Sequence, residues 1–185
     1  MRTKLRSKKG VTLTEVIITL VVSSIFFVMV GSIIVAYRNV TNTAINTTSA
    51  TSAATLVSNS FEKMTNFCNS SEDNHLYYKR NADDTFVFYV YQGNGTPTKE
   101  ELDTNAKYRI MEYTKSNLYY TNSVTGLEIK VDTNNLEGIK YRVTNKQILN
   151  ISILDSEGYL IMERTYRLYG QVQKITDDQD QMITG

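Results

Sequence analysis

Residues 8–38 read KKGVTLTEVIITLVVSSIFFVMVGSIIVAYR. From Val16 to Val35 this stretch contains no charge and no proline. A run of that length suffices for a helix to cross a bilayer core, which takes about 20 apolar residues. Ahead of it stand Arg2, Lys4, Arg6, Lys8 and Lys9, with no acidic residue among the first ten. That asymmetry predicts a cytoplasmic N terminus and an external remainder. Tyr37 and Arg38 close the run with an aromatic and a charge, as expected at a membrane interface. A secretory signal peptide has a shorter apolar core, about 7–15 residues, and a small-x-small cleavage site, for which Val35-Ala36-Tyr37-Arg38 is a poor context. A lipoprotein signal needs a cysteine just after the core, and there is none. An uncleaved signal anchor fits the hydropathy equally well but leaves Glu15 unexplained.

A carboxylate at the head of an apolar helix costs a few kcal/mol to place in lipid, so its presence points to a function and a partner. A cut between Gly10 and Val11 creates an amino group four residues before Glu15. That positive charge can neutralise a Glu15 carboxylate, most usefully one on a neighbouring subunit.

The order of features in Lys8-Lys9-Gly10-Val11-Thr12-Leu13-Thr14-Glu15 resembles the prepilin signature: a basic leader, a glycine, an apolar residue and a glutamate four positions beyond it. The chain is thereby identified as similar to the type IV pilin and pseudopilin family, with the match covering about residues 6–36. Position 11 is Val where the family usually has Phe or Met. The resemblance implies recognition of Gly10 by a membrane prepilin peptidase, cleavage before Val11, N-methylation of Val11, and a requirement for Glu15 in assembly. It implies as partners other pilin subunits, the peptidase, a membrane assembly platform, and the lipid bilayer before assembly. It further implies residence in the bacterial cytoplasmic membrane as a single-pass protein, followed by an extracellular filament. Gly31-Ser32 falls where many pilins have a helix-breaking residue, although proline is absent there.

The 185 residues suit one domain plus a membrane segment. The formal net charge is +1, but without residues 1–10 the chain has 15 basic and 19 acidic side chains. A mildly acidic body gives no general reason to expect a nucleic-acid partner. Cys68 is the only cysteine, which rules out an intramolecular disulfide and reads as a small buried hydrophobe. The lone His75 reads as a surface loop residue, with no nucleophile suggested nearby. No catalytic set and no cofactor are expected.

Residues 38–68 contain neither glycine nor proline and extend the helix. Ala50, Ala53, Ala54, Val57, Phe61, Met64 and Cys68 recur at three- and four-residue steps as one buried stripe. The intervening Thr, Ser and Asn residues are poor helix formers, so the stripe must pack against something to stay helical. Residues 69–75 are a polar break. Residues 85–91, 107–114 and 117–122 read as strands, with residues 93–97 a turn or loop between the first two. Leu127, Ile129 and Val131 alternate with charges, as do Ile139, Tyr141 and Val143. Residues 149–153 and 159–162 form a hairpin that continues through Tyr169. The expected fold class is therefore α+β and pilin-like: a long N-terminal helix packed on a mostly antiparallel sheet. The expected division is leader 1–10, membrane half-helix 11–36, amphipathic half-helix 37–68, head 69–176 and polar tail 177–185.

Twelve of the 13 tyrosines lie in the head. They read as amphipathic residues suited to a thin sheet with one solvated face. Asp177, Asp178 and Asp180 are the calcium candidates, though they lack the glycine and distal glutamate of a helix-loop-helix calcium site, and a solvated tail is the better reading. Lys140, Arg142 and Lys146 could line a DNA-contact strip, but solvent exposure explains their alternation. The expected function is a structural subunit, a minor pilin or pseudopilin, of a type IV pilus-like filament, without catalysis. The alternative is an uncleaved single-pass membrane-anchored extracellular binding protein.

Overall fold

The computed structural model describes residues 12–81, 83–93 and 96–175. Its elements are helix α1 (Leu13–Cys68), strands β1 (Asn74–Arg80) and β2 (Phe86–Gln92), helix α2 (Lys99–Thr104), and strands β3 (Arg109–Thr114), β4 (Asn117–Thr121), β5 (Glu128–Asp132), β6 (Leu136–Thr144), β7 (Ile148–Asp155), β8 (Leu160–Arg167) and β9 (Val172–Lys174). Two compact units divide the chain between Ile45 and Asn46, and α1 contributes residues to both.

In the first unit the apolar side chains of α1 are exposed, Ile17, Phe27 and Ile33 among them. No part of its most apolar 18-residue window is buried, and it is long and apolar enough to cross a membrane. Several of its hydroxyls are satisfied within the helix. Thr19 Oγ1 donates to the Glu15 carbonyl at 2.7 Å, Ser24 Oγ to Val21 at 2.7 Å and Ser32 Oγ to Val28 at 2.9 Å. Each therefore has a partner without water, which lipid demands. The helix runs through Gly31-Ser32 without a break.

In the second unit the whole predicted stripe, from Ala50 to Cys68, is buried, together with Ser58, Ser60 and Thr65. It packs on two sheets. The larger has strand order β5-β4-β3-β2-β1-β9 and the smaller β6-β7-β8. Every pairing is antiparallel except β1 with β9. On the larger sheet, Leu76, Phe86, Phe88, Val90, Met111, Tyr113, Leu118, Tyr120 and Val131 join the helix stripe in the main core. The strand register explains this: Phe86 lies opposite Tyr113, Phe88 opposite Met111, Tyr113 opposite Leu118 and Leu118 opposite Val131, so they share one face. Phe61 sits at the centre, its ring 5.9 Å from Phe88 and 6.5 Å from Tyr166 of the smaller sheet. Leu149, Ile151 and Ile153 supply that sheet's buried side.

Four details depart from the sequence reading. The polar break is shorter than expected, because Asn74 and His75 already belong to β1, and His75 is half-buried in a strand, not on a surface loop. The break also ties the fold together. The Asn74 side chain donates to the Phe67 carbonyl at 2.8 Å, capping the end of α1, and that of Asn69 donates to the Arg167 carbonyl at 2.9 Å. The second face of the larger sheet is covered over β1 and β2, while β5 keeps Glu128, Lys130 and Asp132 exposed on it. Tyr77, Val87, Tyr89, Leu102 and Ile175 form a second buried cluster opposite the first, so many tyrosines are core residues and not a solvated layer. Leu127 precedes β5 and is 65% exposed, while the alternation does hold from Ile129 to Val131.

Candidate functional site: the first turn of the long helix

Helix α1 begins at Leu13, so Thr12 is its N-cap and Glu15 its third residue. The first backbone N–H groups of a helix have no partner inside it. Here the Glu15 N–H donates to Thr12 Oγ1 at 3.3 Å. In return Glu15 Oε2 accepts from the Thr12 N–H at 2.9 Å and from the Thr12 hydroxyl at 3.0 Å. This is a reciprocal capping box, with the sequence signature Thr-x-x-Glu. The carboxylate also stands at the positive end of the helix dipole, where a negative charge is stabilised. It engages one oxygen, Oε2, in both bonds from Thr12.

The site thus offers a carboxylate held in place at the tip of an exposed apolar helix. The lone carboxylate is not part of a metal-ligand set: among the described residues no cluster of three or more His, Cys, Asp or Glu could hold an ion. The expected processing residues Gly10 and Val11 and the leader charges Lys8 and Lys9 lie outside the described residues, as do the calcium candidates Asp177, Asp178 and Asp180. Glu15 is therefore the one expected assembly residue whose surroundings are described. Its partner Thr12 was missed in the sequence reading, although Thr12-x-x-Glu15 just before an apolar run is a recognisable helix-start signal.

The same segment is what known proteins share with this chain. Residues 5–31 carry the prokaryotic N-terminal methylation motif. This motif is the cleavage and methylation signal of type IV pilins and pseudopilins, which are structural subunits. It spans Gly10, Val11, the capping box and the helix as far as Gly31. No curated protein and no solved structure matches the chain. A methylation motif implies assembly with other pilin subunits, and with the apolar helix it points to membrane anchoring.

The remaining expected residues divide. Lys140 and Arg142, on β6, line an open groove of about 580 Å³ together with Arg80 and Lys174. Lys146 does not line it and sits in the β6–β7 turn with a positive φ of 56°. A further acidic pair, Asp83 and Asp84, forms the turn before β2, where Asp84 Oδ1 pairs with Arg80 Nη2 at 2.7 Å. Cys68 is 2% exposed and unpaired, and burial pushes its thiol up to about 12.

Proposed function

We propose that this chain is a minor pilin or pseudopilin: a subunit cut between Gly10 and Val11 by a prepilin peptidase, methylated on Val11, and built into a type IV pilus-like filament through α1. The observation that carries the reading is the methylation motif placed over a helix whose apolar surface is wholly unburied and whose first turn holds a carboxylate. Before assembly, lipid covers that surface. In the filament, neighbouring apolar helices replace lipid, so the exchange of surroundings is nearly neutral in hydrophobic terms. The carboxylate then selects the register, because in a dry environment it is stable only beside a positive charge, and the Val11 amine of a neighbour supplies one. A cytoplasmic ATPase acting through the membrane platform lifts the subunit out of the bilayer. The polar residues of the head and tail remain external.

The capping box favours one competing reading, the uncleaved membrane-anchored binding protein, because it gives Glu15 a task that needs no neighbour. Glu15→Gln separates the two tasks open to that side chain, charge and cap. Glutamine serves at the third position of a capping box, so the helix start survives while the charge is lost. If the charge sets register, Glu15→Gln reduces the chain in the sheared filament fraction as far as Glu15→Ala does, with membrane insertion unchanged. Incorporation equal to the unsubstituted chain would reduce Glu15 to a helix cap.

A further inference from the structure

The groove of about 580 Å³ gathers residues from five strands of both sheets. Arg80 comes from β1, Lys140 and Arg142 from β6, Asn150 and Ser152 from β7 and Lys174 from β9. Glu163 is the single carboxylate lining it. Topology explains the convergence. The parallel strand β9 places Lys174 directly beside Tyr78, and the antiparallel β6–β7 pairing sets Lys140 opposite Ser152 and Arg142 opposite Asn150.

These cations are not consumed by the fold. Among the described residues Lys140, Arg142 and Lys174 have no ion-pair partner. Arg80 has only Asp84, in a pair whose side chains are 52% and 79% exposed, so solvent screens it and it is easily exchanged. Asn150 accepts from the Thr165 hydroxyl at 2.7 Å, which leaves its amide N–H groups free to donate. Tyr141 lines both this groove and a neighbouring cavity of about 320 Å³, and its hydroxyl is buried without a hydrogen-bond partner. A buried unpaired hydroxyl is costly unless something else satisfies it.

We propose that this groove binds an acidic saccharide, its carboxylate or sulfate held by Arg80, Lys140, Arg142 and Lys174 and its hydroxyls by Asn150 and Ser152. Guanidinium and ammonium groups make charge-assisted bonds to oxyanions, and amide and hydroxyl groups suit sugar hydroxyls. A single-stranded nucleic acid shares the negative charge but needs open aromatic faces on which bases stack. The two rings that line the groove are packed on other rings instead: Tyr141 lies 4.9 Å from Phe86 and 5.2 Å from Phe88, and Tyr78 lies 5.5 Å from Tyr141 and 6.1 Å from Phe88. The proposal concerns the head alone and does not depend on how the N terminus is processed.

The test is a calorimetric titration of the full chain, in a neutral detergent, with three probes of equal charge: an oligogalacturonate, a sulfated tetrasaccharide and a single-stranded oligonucleotide. One of the saccharides binds more tightly than the oligonucleotide. Arg142→Ala, at an exposed position, weakens that saccharide about tenfold, as expected for loss of one charge-assisted bond. Lys146→Ala, outside the groove, changes it less than twofold. Absence of saccharide binding, equal binding of the oligonucleotide, or equal losses for Lys146→Ala and Arg142→Ala would each overturn the proposal.

Discussion

Glu15 carries both a charge and a hydrogen-bond acceptor, and its sequence context exposes the first more readily than the second. A carboxylate beside an apolar run stands out by its desolvation penalty, whereas its bonds to Thr12 depend on a local turn geometry that only the Thr-x-x-Glu spacing hints at. Cys68 was legible for a plainer reason: it closes a stripe of helical period, and a cysteine there packs as a small apolar group. Its thiol, raised from 9.0 to about 12 by burial, binds its proton more tightly in the folded chain than in the unfolded one. The resulting contribution to stability is complete below about pH 9 and is lost as pH rises toward 12. The midpoint of urea denaturation should therefore stay level from pH 7 to 8.5 and fall above pH 9, less steeply in Cys68→Ala. Iodoacetamide at pH 8 should leave the native chain unlabelled and label it once in urea. Labelling at the same rate in both would show the thiol to be open.

At the level of elements, long periodic or strongly β-branched segments were legible and short ones were not. The helix stripe and the aromatic strand β2 announce themselves by period and composition. Helix α2 has only six residues, too few for a periodic signal, and is fixed by a second capping box between Thr98 and Glu101. Its Asp103 accepts from the Tyr89 hydroxyl at 2.6 Å, tying it to the sheet beneath. Strand β9 has three residues, and its parallel pairing with β1 spans about a hundred positions of sequence, which no local pattern encodes. Asn74-His75 reads by its polarity as a continuation of the polar break, while the register of β1 against β2 begins at Asn74. The central role of Phe61 is testable here. Its ring is fully buried between the two sheets, so Phe61→Ala should lower head stability by about 3–5 kcal/mol in urea denaturation. A loss below about 1 kcal/mol would mean that the helix stripe is not a main element of the core.

For the molecule as a whole, the sequence carries the anchoring and the α+β layout in separate places. The membrane-capable segment follows from an uninterrupted apolar run, and its exposed surface agrees with that reading. The head follows from a change of period after Cys68. Its division into two sheets was not legible, because both are built from short antiparallel hairpins that read alike in sequence. Nor was the cationic groove. Lys140 and Arg142 are visible as an alternating pair, but Arg80 and Lys174 join them only through long-range pairing of β1 with β9 and the packing of the head. Central to the proposed function is an N terminus created by cleavage and placed in a filament. Mass spectrometry of the chain recovered from sheared filaments tests this most directly. The predicted result is a polypeptide beginning at Val11 with one added methyl group on its amine. Recovery of a chain that still begins at Met1, held in the membrane and absent from the filament fraction, would contradict it.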